Sequence, residues 1–157
     1  MAQETTARRT MTSRELAVWR SLMDTTTDLR RVLGAELQES GLSPGDYAVL
    51  LALSEAPGRR LRSSALATEI DWERSRLSHH LGRMNRRGLI RRESCVTDNR
   101  GAEVVMTTAG ASLFRQASVL HLRAVKARFA DALTGGQLTA LAEILQALRD
   151  HLEGSEP

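Results

Sequence analysis

The sequence predicts a mainly α protein with a small β wing, organised as a winged helix-turn-helix core with further helices at both ends. Three observations predict this fold. Two short helix-like segments follow each other within residues 63–87, two strand-like runs flank a polar turn at residues 98–101, and apolar residues recur at helical spacing on both sides of this region. With 157 residues, of which 41% are hydrophobic, the chain fits one domain over residues 1–157.

The N-terminal part of the chain is predicted to be helical after a short tail. Residues 1–12 are polar, lack the apolar stretch of a signal peptide, and are expected to form a flexible tail. A first helix is predicted over about residues 14–41, where apolar side chains recur every three or four positions. Ser43, Pro44 and Asp46 then favour the start of a second helix, which continues through Glu55.

Two short helices joined by a tight turn are predicted next. Ser63 or Ser64 is expected to cap the first of them, over residues 65–70. Asp71 is expected to cap the second, which runs from about Trp72 to Arg87. This order of elements indicates a helix-turn-helix.

The second helix of this pair has two chemically different faces. Leu77, Leu81 and Met84 form one apolar stripe, while the opposite side carries hydrogen-bond donors and small residues and no carboxylate. Such a face can enter a DNA major groove, where arginine reads guanine bidentately, and Gly82 lets the backbone approach closely. The alternative is a solvated amphipathic helix. The predicted DNA contacts are Arg74, Ser75, Arg76, Ser78, His79, Arg83 and Arg86.

A β-hairpin is predicted after Gly88, which ends the second helix. Residues 89–93 and 103–107 are strand-like, and the polar turn between them contains Asp98 and Arg100. At the hairpin tip Arg100 can enter a narrow minor groove, where the potential is most negative, and Asp98 can hold its guanidinium. The alternative for both residues is an ordinary exposed turn.

Two long helices are predicted to complete the chain. Thr107 or Thr108 starts a helix through about Leu133, and Thr134 with Gln137 forms a capping box for a last helix over about residues 138–152. The first helix and these two carry apolar stripes that the small winged core cannot cover. A second copy of the chain is the expected cover.

Basic charge is concentrated on the predicted DNA-binding segment. Residues 59–101 contain eleven arginines against five acidic residues, whereas the remainder of the chain has a small acidic excess. Neutralising DNA phosphates releases counterions and supplies most non-specific affinity. A sequence-tolerant DNA-binding protein is therefore one alternative to a specific regulator.

The sequence shows no pattern of catalytic or metal-ligating residues. Its four histidines and one cysteine have no close metal-site spacing, and no phosphate loop or nucleophile-and-base set is present, so we expect neither an enzyme nor a cofactor or metal. The single Cys95 cannot form an internal disulfide, and no apolar run approaches about 18 residues, which predicts a cytoplasmic protein without a membrane span. Nearby arginines can lower the pKa of the Cys95 thiol and make it an oxidant sensor, but a single cysteine without a resolving partner favours the alternative, an unreactive strand cysteine.

Several short motifs together resemble one known family. They are Leu66-Ala67, Ser75-Arg76-Leu77-Ser78, the run from Arg83 to Ile90, and Asp98-Asn99-Arg100 followed by Val104, Thr107 and Gly110. Through these motifs and the flanking helices, the chain resembles the MarR family of bacterial transcriptional regulators over nearly its whole length. The wing is the most specific part. Two departures, His79 where Arg is common in the family and Trp72 in place of a smaller apolar residue, leave the base preference open.

This resemblance implies a two-fold homodimer. In such a dimer the terminal helices, over residues 13–41 and 108–153, intertwine and place two winged lobes, each over residues 43–107, on a pseudo-palindromic double-stranded operator. The resemblance also implies a small aromatic or phenolic anion bound between the first, second and fifth helices. Arg14 is a candidate partner for a carboxylate, and Trp19 and Met23 for a ring, although the helical spacing of both apolar residues favours dimer or core packing.

The sequence as a whole predicts a sequence-specific, homodimeric repressor that a small molecule releases from DNA. A regulator that responds to oxidation of Cys95 is the alternative within the same class, and the sequence-tolerant DNA-binding protein is the alternative outside it.

Overall fold

The computed structural model describes residues 10–94 and 102–154, which form helices around a small antiparallel sheet. In chain order the elements are α1 (Ser13–Glu39), α2 (Pro44–Glu55), β1 (Arg60–Arg62), α3 (Ser63–Glu69), α4 (Arg74–Arg86), β2 (Ile90–Ser94), β3 (Ala102–Met106), α5 (Thr108–Arg128) and α6 (Gly135–Glu153). Short 3-10 turns follow α2 and α5. The predicted fold class, mainly α with a small β wing, is confirmed.

Side-chain caps define where most of the long helices begin. Reciprocal capping boxes join Thr12 with Glu15, Ser43 with Asp46, and Thr134 with Gln137. Each box satisfies two backbone N–H groups that the first turn of a helix leaves without partners. The boxes at α2 and α6 and the Thr107 cap of α5 confirm the predicted starts of these helices. The capping box at the start of α1 was not predicted.

The turn between α3 and α4 differs from the prediction. Asp71 does not cap α4 but lies in the turn with a φ of 51°, a left-handed conformation that a short polar side chain tolerates. Glu73 stands at the N-cap position, without a side-chain hydrogen bond to the helix. The helix α4 therefore begins at Arg74, and Trp72 lies outside it.

Two other helix ends were placed wrongly by the sequence pattern. The N-cap of α3 is Arg62, because the chain leaves β1 there in an extended conformation and both Ser63 and Ser64 are already helical. α5 ends at Arg128 rather than near residue 133, because Phe129 leaves the helical conformation and a 3-10 turn follows.

The wing is a three-stranded sheet in the order β1-β3-β2. β2 pairs antiparallel with β3 as a hairpin, with Ile90 opposite Met106, which agrees with the prediction. β1 pairs on the other side of β3, with Arg60 opposite Val105, and was not predicted. The turn that carries Cys95, Asp98 and Arg100 lies outside the described residues.

The core lies inside the winged lobe, the unit formed by α2, α3, α4 and the sheet (residues 43–107). Its completely buried side chains include Val49, Leu50, Leu53, Leu66, Leu77, Leu81, Met84 and Val104. α5 joins this core through Gly110, where a Cβ atom would lie 2.0 Å from the backbone oxygen of Leu89. Any other residue at position 110 would push α5 away from the lobe.

The long terminal helices are poorly covered in a single chain. Leu37 is the one buried residue of α1, and none of the residues of α6 is buried. The large exposed apolar side chains on α1, α5 and α6 are Val18, Trp19, Leu22, Met23, Val119, Leu120, Leu122, Leu138, Ile144, Leu145, Leu148 and Leu152. Among the described helices, none combines the length and apolar character that crossing a membrane requires.

Candidate nucleic-acid interface

The recognition helix α4 presents its polar side chains on one exposed face. Leu77, Leu81 and Met84 are fully buried and fix the rotation of the helix on the lobe. The residues predicted to contact DNA on α4, Arg74, Ser75, Arg76, Ser78, His79, Arg83 and Arg86, are all exposed. The sequence between Arg74 and Arg92 contains no acidic residue, so no carboxylate of this segment opposes a phosphate.

A shallow groove runs along this face. It has a volume of about 430 Å³ and is lined by Ser75, Ser78, His79, Gly82, Arg83 and Arg86. A Cβ atom at Gly82 would meet only the end of the Arg86 side chain, at 3.9 Å. Packing within the lobe therefore does not require glycine at position 82. Without a side chain there, another molecule can approach the backbone of α4 closely.

The N-terminal end of α4 is shaped by Trp72. The guanidinium of Arg76 lies 4.1 Å from the centre of the Trp72 ring, within cation-π distance. The same ring meets His80 edge-on, with 5.2 Å between the ring centres. Trp72 thus separates an exposed arginine from a buried histidine.

A polar cluster is buried beneath the recognition helix. The side chains of Asp46 on α2 and His80 on α4 have only 2% and 7% of their residue surfaces exposed. Nε2 of His80 lies 2.9 Å from Oδ1 of Asp46, an ion-pair distance at an angle that is poor for a hydrogen bond. On the other side of the ring, Nη2 of Arg83 lies 2.8 Å from Nδ1 of His80. The cluster therefore connects the core to the exposed face.

A second arginine holds the carboxylate of this cluster. Arg87 donates from Nη1 to Oδ2 of Asp46 at 2.6 Å and from Nη2 to the backbone oxygen of Gly41 at 2.6 Å. Arg87 thus ties the end of α4 to the junction of α1 and α2. Gly45 leaves the room for this packing, because a Cβ atom there would lie 2.9 Å from the His80 ring and 2.8 Å from Trp72.

The environment shifts the pKa values of both buried groups. Burial lowers the pKa of His80, and the positive charges of Arg83 and Arg76 add to this effect, although Asp46 opposes it. Burial raises the pKa of Asp46, but the hydrogen bonds from Arg87 and Ser43 outweigh burial and bring the pKa below its ordinary value. At neutral pH the cluster therefore contains a neutral imidazole and an ionised carboxylate.

The wing strands are linked to α4 and to one another by arginines. Arg92 on β2 donates to Oγ of Ser78 at 3.3 Å, a long contact between the wing and the recognition helix. Across the sheet, Nη1 of Arg60 lies 3.1 Å from a carboxylate oxygen of Glu103 and 3.8 Å from one of Glu93. Arg60 is therefore neutralised locally.

The candidate ligand residues lie on the N-terminal half of α1. Arg14, Trp19 and Met23 are exposed in the single chain. A cavity of about 630 Å³ lies further along the same helix, against α5, and is lined by Glu36, Leu37, Glu39, Ser40, Ala117, Leu120, His121, Ala124 and Arg128. The two locations are separate, since Glu36 follows Met23 by thirteen positions, or about 20 Å along the helix.

Sequence reasoning missed the buried cluster. His80 stands next to His79 in the sequence, and the prediction considered only His79 as a functional residue. A signal was present, because position 80 is three residues after Leu77 and four before Met84 and so falls on the buried stripe.

Comparisons with known proteins agree with this geometry. A family model described as MarR family matches residues 40–101. The solved structure of AbsC, a MarR family transcriptional regulator from Streptomyces coelicolor, is 37% identical with a TM-score of 0.83, and the match covers 94% of this chain and 99% of AbsC. A second MarR family transcriptional regulator from that organism, solved in complex with DNA, is also 37% identical with a TM-score of 0.83, over 95% of this chain and 92% of the relative.

A more distant match comes from Thauera aromatica. A protein described as a transcriptional regulatory protein for the hcr operon is 33% identical over 98 residues, which are 60% of this chain and 58% of that relative. The match therefore spans less than two thirds of its length.

Proposed function

The chain belongs to the MarR family of DNA-binding transcriptional regulators, and we propose that it is a homodimeric repressor that binds a pseudo-palindromic operator through α4 and releases it when a small molecule binds. The observation that carries this proposal is the outward face of α4, an exposed row of arginines, serines and one histidine above a completely buried apolar stripe. The relative of 37% identity that was solved in complex with DNA supports DNA as the partner.

Different residues of α4 take different roles in this proposal. His79 and Arg83 lie at the middle of the groove-facing side and are placed to contact base edges, where an arginine recognises guanine O6 and N7. Arg86 lies at the end of the helix and is assigned to phosphate. At the wing, Arg100 held by Asp98 is proposed to enter the minor groove, on the sequence pattern alone.

A second copy of the chain is the proposed cover for the terminal helices. Leu145, Leu148 and Leu152 lie exposed on α6, and Leu120 on α5 is 53% exposed. So many exposed large apolar side chains are unusual on a soluble monomer and typical of an obligate interface. A two-fold dimer places its two copies of α4 about one DNA turn apart, about 34 Å.

An aromatic or phenolic anion is the proposed effector. The cavity between α1 and α5 supports it, because His121 lines this cavity and its Nδ1 atom is buried without a hydrogen-bond partner among the described residues. The Tyr47 ring lies 4.8 Å from the His121 ring and provides an aromatic neighbour. Arg14 with Trp19 and Met23 is the second candidate location, and it requires the partner chain as its other wall.

Selecting DNA from a random pool with the wild-type protein tests the proposed function. We expect a two-fold symmetric motif that is bound at least about 10³-fold more tightly than random DNA at physiological salt. Arg83→Ala is expected to weaken binding, whereas Arg30→Ala, an exposed arginine on α1, serves as a matched control for the loss of one positive charge. Equal affinity for selected and random DNA would favour the sequence-tolerant alternative.

Titrating benzoate or a chlorophenol against the protein, with and without operator, tests the effector. Binding that DNA weakens by about 5- to 150-fold supports the proposal, since coupling between two sites is reciprocal. His121→Ala and Arg14→Ala distinguish the two candidate locations. If neither class of compound binds, the redox alternative is tested by comparing Cys95→Ser with the wild type under peroxide.

A further inference from the structure

We propose that Asp46 and His80 are positioning residues for DNA recognition: Asp46 fixes the tautomer of His80, whose Nδ1 then accepts a hydrogen bond that holds Arg83 on the DNA-facing side of α4. This inference rests on the proposed function, because it concerns how the residues of α4 reach DNA.

The protonation state of His80 follows from its two partners. A guanidinium has donors and no acceptor, so the 2.8 Å contact between Arg83 and Nδ1 requires a lone pair on Nδ1. The single ring proton of the neutral imidazole must then be on Nε2, which faces Oδ1 of Asp46 at 2.9 Å. The Arg83 contact requires this tautomer, and the carboxylate favours it through charge alone, because its angle to Nε2 is poor for a hydrogen bond.

The ring of His80 is also held in place by its neighbours. Trp72 meets it edge-on, at an interplanar angle of 88°, and Gly45 packs directly against it. Arg87 holds the Asp46 carboxylate through one hydrogen bond of 2.6 Å and is itself held by a second, also 2.6 Å, to the backbone oxygen of Gly41. The acceptor offered to Arg83 is thus built on side chains from α2, α4 and the turn before α4, and not on a mobile surface group.

Holding one end of Arg83 has a consequence for reading DNA. The bond to His80 uses one N–H of Nη2 and leaves the other donors of the guanidinium for a base edge. An arginine whose direction is already fixed loses less side-chain entropy on binding, and it selects the base that lies along that direction. Arg86, on the same face, has no hydrogen-bond partner among the described residues and provides an internal comparison.

Protonation of His80 would destroy this arrangement. The charged groups that face the ring are Asp46 from α2 and Arg83 and Arg76 from α4, with Arg87 behind Asp46. A proton on Nδ1 removes the acceptor and places a second positive charge against Arg83. Operator affinity is therefore expected to fall on acidification, below the ordinary titration range of histidine, because burial lowers the pKa of His80.

Two substitutions of His80 separate the two ring nitrogens. In His80→Asn the amide oxygen stands near the position of Nδ1, and in His80→Gln the amide group reaches the position of Nε2. We expect His80→Gln to weaken operator binding about tenfold and to relax the preference at one base of each half-site, as loss of a hydrogen bond to a charged group would. His80→Asn should recover most of the affinity and the preference.

A double-mutant cycle decides whether the effect passes through Arg83. In an Arg83→Ala background, His80→Gln should change operator affinity by less than about twofold, whereas in an Arg86→Ala background it should keep its full effect. Wild-type affinity and base preference in His80→Gln would overturn the proposal, and so would an undiminished effect without Arg83. If the wild type binds DNA selectively and Arg83→Ala does not alter that binding, the positioning role alone is overturned. If the wild type binds no DNA selectively, the proposed function is overturned as well.

Discussion

The winged lobe and the terminal helices are stabilised in different ways. In the lobe, each element contributes side chains to one shared core, and Leu50, Leu66 and Leu81 are completely buried. In α6 no residue is buried, although the helix carries an apolar stripe that includes Leu145, Leu148 and Leu152. The lobe thus contains a complete hydrophobic core in one chain, whereas the terminal helices leave apolar side chains exposed, which we propose a second copy covers.

The difference bears on how such a protein transmits a signal. In the proposed dimer, the buried core of each lobe fixes the face of α4, and the spacing between the two lobes depends on contacts between the terminal helices of the two copies. A ligand that altered those contacts would change DNA affinity without altering the exposed face of α4.

The largest expected effect is the loss of a core side chain in the lobe. Leu81→Ala should lower the free energy of unfolding by about 2 to 5 kcal/mol, because a cavity is left in a close-packed region. Leu148→Ala, an exposed position on α6, is the control. Its effect should depend on protein concentration, as expected for an interface residue, whereas the effect of Leu81→Ala should not. Urea denaturation at several protein concentrations measures both.

Introducing charge on α6 should break the dimer without unfolding the lobe. The double variant Leu145→Glu and Leu148→Glu is expected to raise the dimer dissociation constant by more than about 100-fold, since burying carboxylates without partners costs on the order of 3 kcal/mol or more. Sedimentation at micromolar concentration should show a monomer. A variant that stays dimeric would mean that another face of the chain forms the interface.

Removing the arginine that holds Asp46 should weaken the lobe moderately. Arg87→Ala is expected to cost about 1 to 3 kcal/mol of unfolding free energy, because the buried carboxylate loses a charged donor. Arg86→Ala, one residue earlier and exposed, should change stability by less than about 0.5 kcal/mol. Similar values for the two variants would show that the Asp46 cluster contributes little to the fold.

The smallest expected effect is a pH dependence of stability from His80. The pKa of this group is lowered in the folded state, so between that value and the ordinary histidine pKa of about 6.5 the unfolded chain binds more protons than the folded one. The contribution of His80 to the free energy of unfolding is therefore fully present above about pH 6.5 and is lost as the pH falls below that value. Denaturation curves of the wild type should show this slope, and His80→Asn should reduce it. An identical slope in both proteins would contradict a buried neutral His80.

Sequence reasoning recovered the parts of the fold that depend on local signals. The caps of α2 and α6 rest on residues three apart in the chain, and the rotation of α4 rests on a helical repeat. β1 was missed because three residues, Arg-Leu-Arg, are too short for an alternating pattern and are a strand only through pairing with β3. The turn at Asp71 was misread because an aspartate suits both an N-cap and a left-handed turn.

The candidate site was recovered only at its surface. The exposed residues of α4 follow from periodicity, but the contact between Asp46 and Arg87 joins positions 41 residues apart, and no spacing rule predicts it. Ser43 and Asp46 predicted the start of α2, where the Asp46 carboxylate accepts a hydrogen bond from the backbone N–H of Ser43. Asp46 also supports α4 through its contacts with His80 and Arg87. This second role becomes visible only when α2 and α4 are packed together.

The central claim is that the winged lobe folds around a core of its own and binds DNA, whereas the terminal helices require a second copy of the chain to cover them. The symmetry of the DNA that the protein selects tests this claim most directly. The selected fragments should share two inverted half-sites whose centres are about 10 base pairs apart, bound by two chains, and Arg83→Ala should change the preferred base at matching positions in both half-sites. A single unpaired half-site bound by one chain, or a symmetric motif that Arg83→Ala leaves unchanged at every position, would contradict the account.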